Sequence, residues 1–350
     1  MSANNMSPLD EARAALRGVT CWVLTDGKAG DLAQCLGVAE RLGLTVQEKV
    51  IAPRAPWKWL MPLSWRVPGL AIDPAEAPGR AGGPLQPPWP DLVIASGRRA
   101  APYLPAIKRA SGGKTFTVFL KDPRTSAAIA DFIWVPAHDR LRGGNVLPTL
   151  LSPHRITPES LAALRSAPPA PIAALKTPRI AVLIGGNSKD FRFTDADIRR
   201  FWDALGALAE SGAGIMATPS RRTPPELAEA ARARIEAAGG WFWDGTGDNP
   251  YRAMLANADG LVVTAESVNM VGEALSTGKP VAVFRPSGGS RKIDQFFRDL
   301  GKKTGLDDLG AIRPFSGALE SYTYEPMDAT PEIAIALSRR YTTFRNGPNS

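Results

Sequence analysis

The sequence has only two cysteines and two histidines among its 350 residues. Two cysteines cannot build a disulfide framework, so Cys21 and Cys35 are predicted to be buried free thiols, as in a reducing compartment. No stretch approaches the roughly 18 uninterrupted apolar residues of a membrane-spanning helix, and the N-terminus lacks the residue order of a signal peptide. These absences predict a cytoplasmic protein.

The charge is basic but scattered. The formal net charge of +8 favours acidic partners, namely phosphorylated small molecules or an anionic membrane surface. Long Lys/Arg runs and nucleic-acid-binding motifs are missing, so we predict no nucleic-acid partner.

Length and patterning predict two α/β domains. A chain of 350 residues that is 44% apolar and 22% charged is an ordinary globular sequence, and it is long enough for two cores. In each half, short apolar strands alternate with helices, which predicts a parallel sheet covered on both faces. The predicted segments are a tail at 1–17, a Rossmann-like domain at 18–151 with a Trp/Pro-rich insertion at 53–90, a linker at 152–178, a second Rossmann-like domain at 179–315, and a segment at 316–350 that packs back toward the first domain.

Ligands of parallel sheets bind beyond the carboxyl ends of the strands, so the strand-to-helix loops are the candidate sites. The first such loop contains Asp26, Lys28 and Gly30, where a cation and glycines can approach an anionic or sugar group. The alternative is a simple glycine-rich turn. Arg98 follows another strand of this half and is a further candidate for the acceptor.

The second half opens with an equivalent loop that contains Gly185, Gly186, Asn187 and Ser188. Consecutive glycine amides can form an anion-binding nest, and Ser188 can donate a hydroxyl, so a diphosphate fits there. A structural turn is the alternative.

Further polar residues follow the later strands of the second half. Ser267 stands where a helix begins, and Glu273 lies nearly two turns into that helix, where its carboxylate can accept hydrogen bonds from vicinal hydroxyls. The other candidates are Arg222, Asn249 and Tyr251 for the nucleotide, and Asp294 and Gln295 for the sugar.

Together these motifs resemble the elongated-mitochondria (mitochondrial fission) family. They include Thr-Asp-Gly-Lys-Ala-Gly at 25–30, Ser-Gly-Arg-Arg at 96–99, Gly-Gly-Asn-Ser at 185–188, Thr-Pro-Ser-Arg-Arg-Thr at 218–223 and Asn-Pro-Tyr at 249–251. The run at 258–284 also looks like the nucleotide-binding signature of GT-B glycosyltransferases and nucleotide-sugar epimerases. Glu273 stands five residues before Gly278, as does the ribose-binding glutamate of that group.

The resemblance implies a GT-B-like protein with two Rossmann-like domains facing a cleft. It implies a nucleotide sugar as substrate, with no other cofactor, and transfer of the sugar to an envelope or lipid-linked acceptor. No strand ends in Asp-x-Asp, and glycine amides and arginines can replace Mg²⁺, so we expect no metal. Two alternatives remain open: epimerisation of the nucleotide sugar, and a non-catalytic scaffold that recruits a membrane-remodelling partner. The acceptor loop of better-understood transferases is missing, so the candidate bases are Asp26 and His138.

A short aromatic and basic segment at 57–66 mixes tryptophans with cations, as interfacial membrane anchors do. This predicts a peripheral contact with the inner face of a membrane. A folded lid or core packing is the alternative.

Overall fold

The computed structural model describes residues 6–60, 72–304 and 312–347. The chain divides into two compact units, one formed by Met1–Arg155 with Ala329–Ser350 and the other by Ile156–Asp328. The predicted fold class, two α/β domains with parallel sheets, is confirmed by the sheets described below. Among the described residues, the helices are too short or too polar to span a bilayer.

The first unit is built on a six-stranded sheet in which every neighbouring pair is parallel. The strand order is β2-β1-β3-β4-β5-β6. The strands are β1 Cys21–Thr25, β2 Val46–Val50, β3 Leu92–Ala95, β4 Phe116–Leu120, β5 Phe132–Pro136 and β6 Val146–Thr149. Strands β1, β3 and β4 are buried along their whole length, as expected for strands covered on both faces.

Helices cover this sheet and bring the end of the chain back to it. They are α1 Pro8–Ala15, α2 Ala29–Arg41, α3 Trp57–Leu60, α4 Tyr103–Ala110 and α12 Thr330–Asn346. Helix α12 packs on α1 and α2, and Tyr341 meets Phe116 edge to face at 5.7 Å. Only the part of the C-terminal segment from Ala329 onward belongs to the first unit, because residues 316–328 stay with the second.

The insertion at 53–90 is held by an ion pair within itself and by a hydrogen bond to helix α4 of the first unit. Asp73 accepts two hydrogen bonds from the Arg54 side chain, at 2.8 and 2.9 Å, and Tyr103 donates to Glu76 at 2.7 Å. The segment predicted as a membrane anchor extends to residue 66, and its residues 61–66 lie outside the described residues.

The second unit repeats the design with the strand order β10-β9-β7-β11-β12-β14, again parallel throughout. Its sheet strands are β7 Arg179–Ile184, β9 Gly214–Pro219, β10 Trp241–Phe242, β11 Gly260–Thr264, β12 Val281–Phe284 and β14 Ile312–Pro314. A separate antiparallel pair joins β8 Phe191–Arg192 to β13 Ser287–Gly288.

The helices of the second unit are α5 Pro158–Ser166, α6 Ala170–Ala173, α7 Asp195–Glu210, α8 Pro225–Ala237, α9 Tyr251–Asn257, α10 Val268–Leu275 and α11 Arg291–Thr304. Thr194 and Asp197 form the capping box that starts α7. Residues 152–178 differ from the predicted linker: about half of them form α5 and α6, and α5 packs on α9 within the second unit.

Both sheets place their first strand at a topological switch point. The chain leaves β1 toward β2 on one side and returns to β3 on the other, and it leaves β7 toward β9 and returns to β11 in the same way. The loops after β1 and β3, and those after β7 and β11, therefore diverge at the carboxyl edge of each sheet. These are the positions where open α/β sheets bind ligands.

Candidate functional site

The loop after β7 has its backbone amides satisfied within the chain. The amide of Gly185 donates to the Thr264 hydroxyl at 2.8 Å, and that of Gly186 donates to Oε1 of Glu266 at 2.8 Å. The next two amides, of Asn187 and Ser188, donate to backbone carbonyls. The prediction that these amides form an open nest for a diphosphate is therefore wrong. Thr264, at the end of β11, and Glu266, two residues later, already accept the two glycine amides.

Both glycines are required by close packing. A Cβ on Gly185 would lie 1.5 Å from Oε1 of Glu266, and one on Gly186 would lie 1.9 Å from the backbone oxygen of Arg222. No other residue fits at either position without displacing these groups. The double glycine thus serves the contact with Glu266, which the sequence analysis did not single out.

The loop after β9 holds two exposed arginines beside this contact. The Thr223 hydroxyl donates to the Gly185 carbonyl at 2.6 Å, and it also accepts the Ser220 amide at 2.8 Å. This ties the loop to the end of β7, while Arg221 and Arg222 remain exposed. Two guanidinium groups on a fixed loop at the carboxyl edge can bind phosphate oxygens.

Glu273 is half-buried on α10, and the Tyr251 hydroxyl, from the first residue of α9, donates a hydrogen bond to its Oε2. Burial raises the pKa of Glu273 to about 7, and the bond from Tyr251 acts in the opposite direction. Burial also raises the pKa of Tyr251 well above its usual range, as does the neighbouring carboxylate. The pair fixes one carboxylate oxygen and leaves the other for a second donor.

A pocket of about 690 Å³ lies next to this pair in the second unit. Its walls are α5, the start of α6, strand β10 and the turn before α9, and its lining includes Trp241, Trp243, Asn249, Pro250 and Arg252. The residue between the two tryptophans is buried in the core on the other face of the sheet, so the two indoles share the pocket face. The spacing of the two tryptophans, with one residue between them on a strand, is the sequence signal for this pocket.

Arg252 gives the pocket a buried donor. Its Nε is buried and has no hydrogen-bond partner among the described residues. A guanidinium is always charged, and a buried N–H without an acceptor is costly. An acceptor atom that reaches this N–H would remove that cost.

The loop after β1 places a buried carboxylate at the other switch point. The side chain of Asp26 is 1% exposed, its Oδ2 accepts from Lys28 at 2.7 Å, and its Oδ1 is buried without a partner among the described residues. Asp31 lies close by, paired with Lys121 at 2.9 Å. A Cβ on Gly97, whose φ is 90°, would lie 3.1 Å from Oδ2 of Asp31 and 3.2 Å from Oδ1 of Asp26.

The remaining predicted residues stand as follows. Gly30 and Arg98 are exposed at the same edge of the first unit, and His138 is half-buried after β5. Asn249 accepts the amide of Tyr251, while Ser267 begins α10 without a side-chain capping bond. Asp294 is ion-paired with Arg285, and Gln295 bonds to Asp299 and Arg298, so both predicted sugar ligands already have partners.

The raised pKa of Glu273 predicts a pH-dependent stability. The folded protein holds a proton on this group up to pH of about 7, against about 4.5 in the unfolded chain, so the contribution is complete below pH 4.5 and is lost as the pH rises through 7. As the pH rises from 4.5 to 7, the thermal midpoint of the wild type should therefore fall relative to that of Glu273→Gln. Differential scanning calorimetry across the range tests this.

The control for this measurement is Glu236→Gln, which changes an exposed carboxylate on α8 that pairs with Arg232 at the surface. Its thermal midpoint should follow the wild type. A difference between wild type and Glu273→Gln that stays constant with pH contradicts the assignment.

The chain is similar to several known proteins. The mitochondrial fission protein ELM1 of Arabidopsis thaliana is 29% identical over 280 residues, which are 71% of this chain and 64% of that protein. The chain thus spans less than two thirds of this curated relative.

Among solved structures, the UDP-N-acetylglucosamine 2-epimerase of Rickettsia bellii matches with a TM-score of 0.49 and 12% identity, covering 92% of this chain and 94% of the other. MurG of Acinetobacter baumannii matches with a TM-score of 0.42 and 13% identity, covering 93% and 91%. The family model described as mitochondrial fission ELM1 matches residues 29–341, and the chain belongs to this family.

Proposed function

We propose that the second unit binds a nucleotide sugar and that the protein transfers its sugar to an acceptor bound by the first unit, without a metal ion. One observation carries this proposal. A single turn, formed by Asn249, Pro250 and Tyr251, lines the tryptophan pocket with its first two residues and holds the Glu273 carboxylate with its third. A base pocket and a ribose-binding carboxylate are thereby neighbours.

The base enters the pocket. The π-faces of Trp241 and Trp243 offer stacking surfaces, and aromatic stacking contributes about 1–3 kcal/mol per base. The unpartnered Nε–H of Arg252 then donates to a carbonyl or ring nitrogen acceptor of the base. This donor can bind a carbonyl oxygen of uracil or guanine.

Groups next to the pocket are proposed to bind the ribose and the two phosphates. With Oε2 of Glu273 fixed by Tyr251, its other oxygen is positioned to accept hydrogen bonds from the ribose hydroxyls. The diphosphate meets Arg221, Arg222 and the partly exposed start of α10, where the helix dipole favours negative charge. These fixed positive charges take the place of a divalent cation.

In the transfer step Asp26 acts as the base. Its unpartnered Oδ1 accepts the proton of an acceptor hydroxyl while the acceptor oxygen forms a bond to the anomeric carbon of the sugar. The bond from that carbon to the diphosphate oxygen breaks, and the nucleoside diphosphate leaves. Lys28 holds Oδ2 and keeps the carboxylate in place.

The acceptor is proposed to be lipid-linked and to be met at a membrane surface. Helix α3 presents Trp59, which is 69% exposed, and the Nζ of Lys58 lies 5.1 Å from the centroid of its ring. An exposed indole with an adjacent cation is typical of contact with the headgroup region.

The nucleotide site is tested by calorimetric titration with the diphosphate sugars of uridine, guanosine and adenosine. Trp243→Ala should weaken binding about tenfold or more through lost stacking, and Glu273→Gln about as strongly through lost bonds to ribose. Trp202→Ala, a half-buried tryptophan on α7 outside the pocket, is the matched control and should bind as the wild type. If none of the three ligands binds the wild type, the enzymatic proposal fails and a non-catalytic scaffold is favoured.

The role of Asp26 is tested with Asp26→Asn, which preserves shape but removes the base. Transfer of labelled sugar to a membrane-lipid extract should fall by about 100-fold or more, with donor binding unchanged and no effect of a chelator. Asp10→Asn, at an exposed site on α1, should transfer normally. Full transfer by Asp26→Asn contradicts the proposal, and an epimer of the donor formed without acceptor selects the isomerase instead.

The membrane contact is tested by co-sedimentation with vesicles. Vesicles rich in phosphatidylglycerol should bind the wild type more strongly than phosphatidylcholine vesicles, and Trp59→Ala should lose most of this binding. Met6→Ala, another exposed apolar residue of the first unit, is the control and should bind normally. Equal binding by the wild type and Trp59→Ala would remove α3 from the interface.

A further inference from the structure

Glu266 is a carboxyl group with one satisfied and one unsatisfied oxygen. It follows strand β11, and the residue is only 8% exposed. Its Oε1 accepts two hydrogen bonds, from the Gly186 amide at 2.8 Å and from the Thr264 hydroxyl at 3.1 Å. Its Oε2 is buried and has no partner among the described residues.

The donors on Oε1 have fixed directions. The Thr264 hydroxyl already accepts the Gly185 amide at 2.8 Å, and its single proton is therefore left for Oε1 of Glu266. The Gly186 N–H is held by the backbone of the loop. Because both donors point at Oε1, a proton bound to this carboxyl group resides on Oε2.

The environment of Glu266 favours its neutral form. Burial raises its pKa, and this effect outweighs the lowering by its hydrogen bonds and by the charge of Arg222. Arg222, on the loop after β9, is the charged side chain that acts on it, while β11 and the loop after β7 contribute a hydroxyl and amides.

We propose that Glu266 binds the nucleotide sugar in its protonated form, donating its Oε2 proton to a diphosphate oxygen and so selecting diphosphate ligands over nucleosides. This inference rests on the proposed function, since Arg222 and the start of α10, two residues beyond Glu266, are the proposed phosphate ligands. An ionised Oε2 at that place would repel the diphosphate, whereas a protonated Oε2 gains the partner it lacks.

Proton balance follows directly. Where free Glu266 is ionised, one proton is taken up from solvent when the nucleotide sugar binds, and it returns to solvent when the ligand leaves. The diphosphate of a nucleotide sugar has no group that titrates near neutral pH, so the uptake belongs to the protein.

The experiment is calorimetric titration at pH 8 in two buffers of different ionisation enthalpy, using uridine and guanosine diphosphate glucose and the two free nucleosides. When the nucleotide sugar binds, the protein should take up as much as one proton more than when the corresponding nucleoside binds. Because both ligands carry the ribose, the difference between them cancels any proton change at Glu273. Its dissociation constant should rise with pH by up to about tenfold per unit. This wild-type comparison needs no variant.

Glu266→Gln is the decisive variant because glutamine keeps the acceptor oxygen and mimics the protonated group. It should bind the nucleotide sugar more tightly than the wild type at pH 8, without the extra proton and without the pH dependence. Glu236→Gln is the same substitution at an exposed site of the same unit, and it should behave as the wild type.

Two outcomes overturn the inference. One is nucleotide-sugar binding without extra proton uptake relative to the nucleoside, and the other is weaker binding by Glu266→Gln with the proton count unchanged. Absence of binding by the wild type has a different meaning, since it refutes the nucleotide-sugar function itself and the inference with it.

Discussion

Within each unit, the position of the candidate site depends on the change in strand order beside the first strand. Strands β1 and β7 each have neighbours reached in opposite directions, so the loops at their carboxyl ends separate and leave room for a ligand. Each opening is lined by a carboxylate that is fixed through one oxygen. Asp26 is held by Lys28, and Glu266 by an amide and a hydroxyl. The other oxygen of each group is buried and has no hydrogen-bond partner among the described residues.

The contact between Glu266 and the glycine loop changes how an anionic ligand can be held. Backbone amides at the end of a first strand commonly bind phosphate, but here they already hold a carboxyl group. In the proposed binding mode, the positive charge for the diphosphate comes instead from Arg221 and Arg222 on the loop after β9. Their loop is fastened to β7 by Thr223, so its backbone is held against the end of that strand.

Much of the fold could be predicted from local sequence. The apolar strands, the capping box at Thr194 and the helix that begins near Pro225 follow from periodicity and capping, which are short-range signals. Strand β6 was missed because it is only partly buried, and one short helical stretch was expected between 152 and 178, where the structure has the two short helices α5 and α6. Their structure depends on tertiary contacts, such as the packing of α5 on α9.

The site was less predictable, for a physical reason. The sequence shows that Gly185 and Gly186 follow a strand, but not which group reaches their amides first. That depends on the register of β7 against β11, which brings Glu266 to the loop. The tryptophan pocket likewise requires α5 and β10, which are about 80 residues apart in the chain, to be placed together. Tyr251 and Glu273 were both predicted as nucleotide ligands, whereas their mutual hydrogen bond was not.

The two glutamates of the second unit illustrate how one proposed ligand calls for two charge states. Burial raises the pKa of both Glu266 and Glu273. Ribose hydroxyls are donors and need an ionised acceptor, and the Tyr251 hydroxyl stabilises that form of Glu273. Diphosphate oxygens are acceptors and need a donor, and Glu266 can supply one only from Oε2 when it is protonated. In the proposed complex, the ribose therefore favours the ionised form of Glu273, and the diphosphate favours the protonated form of Glu266.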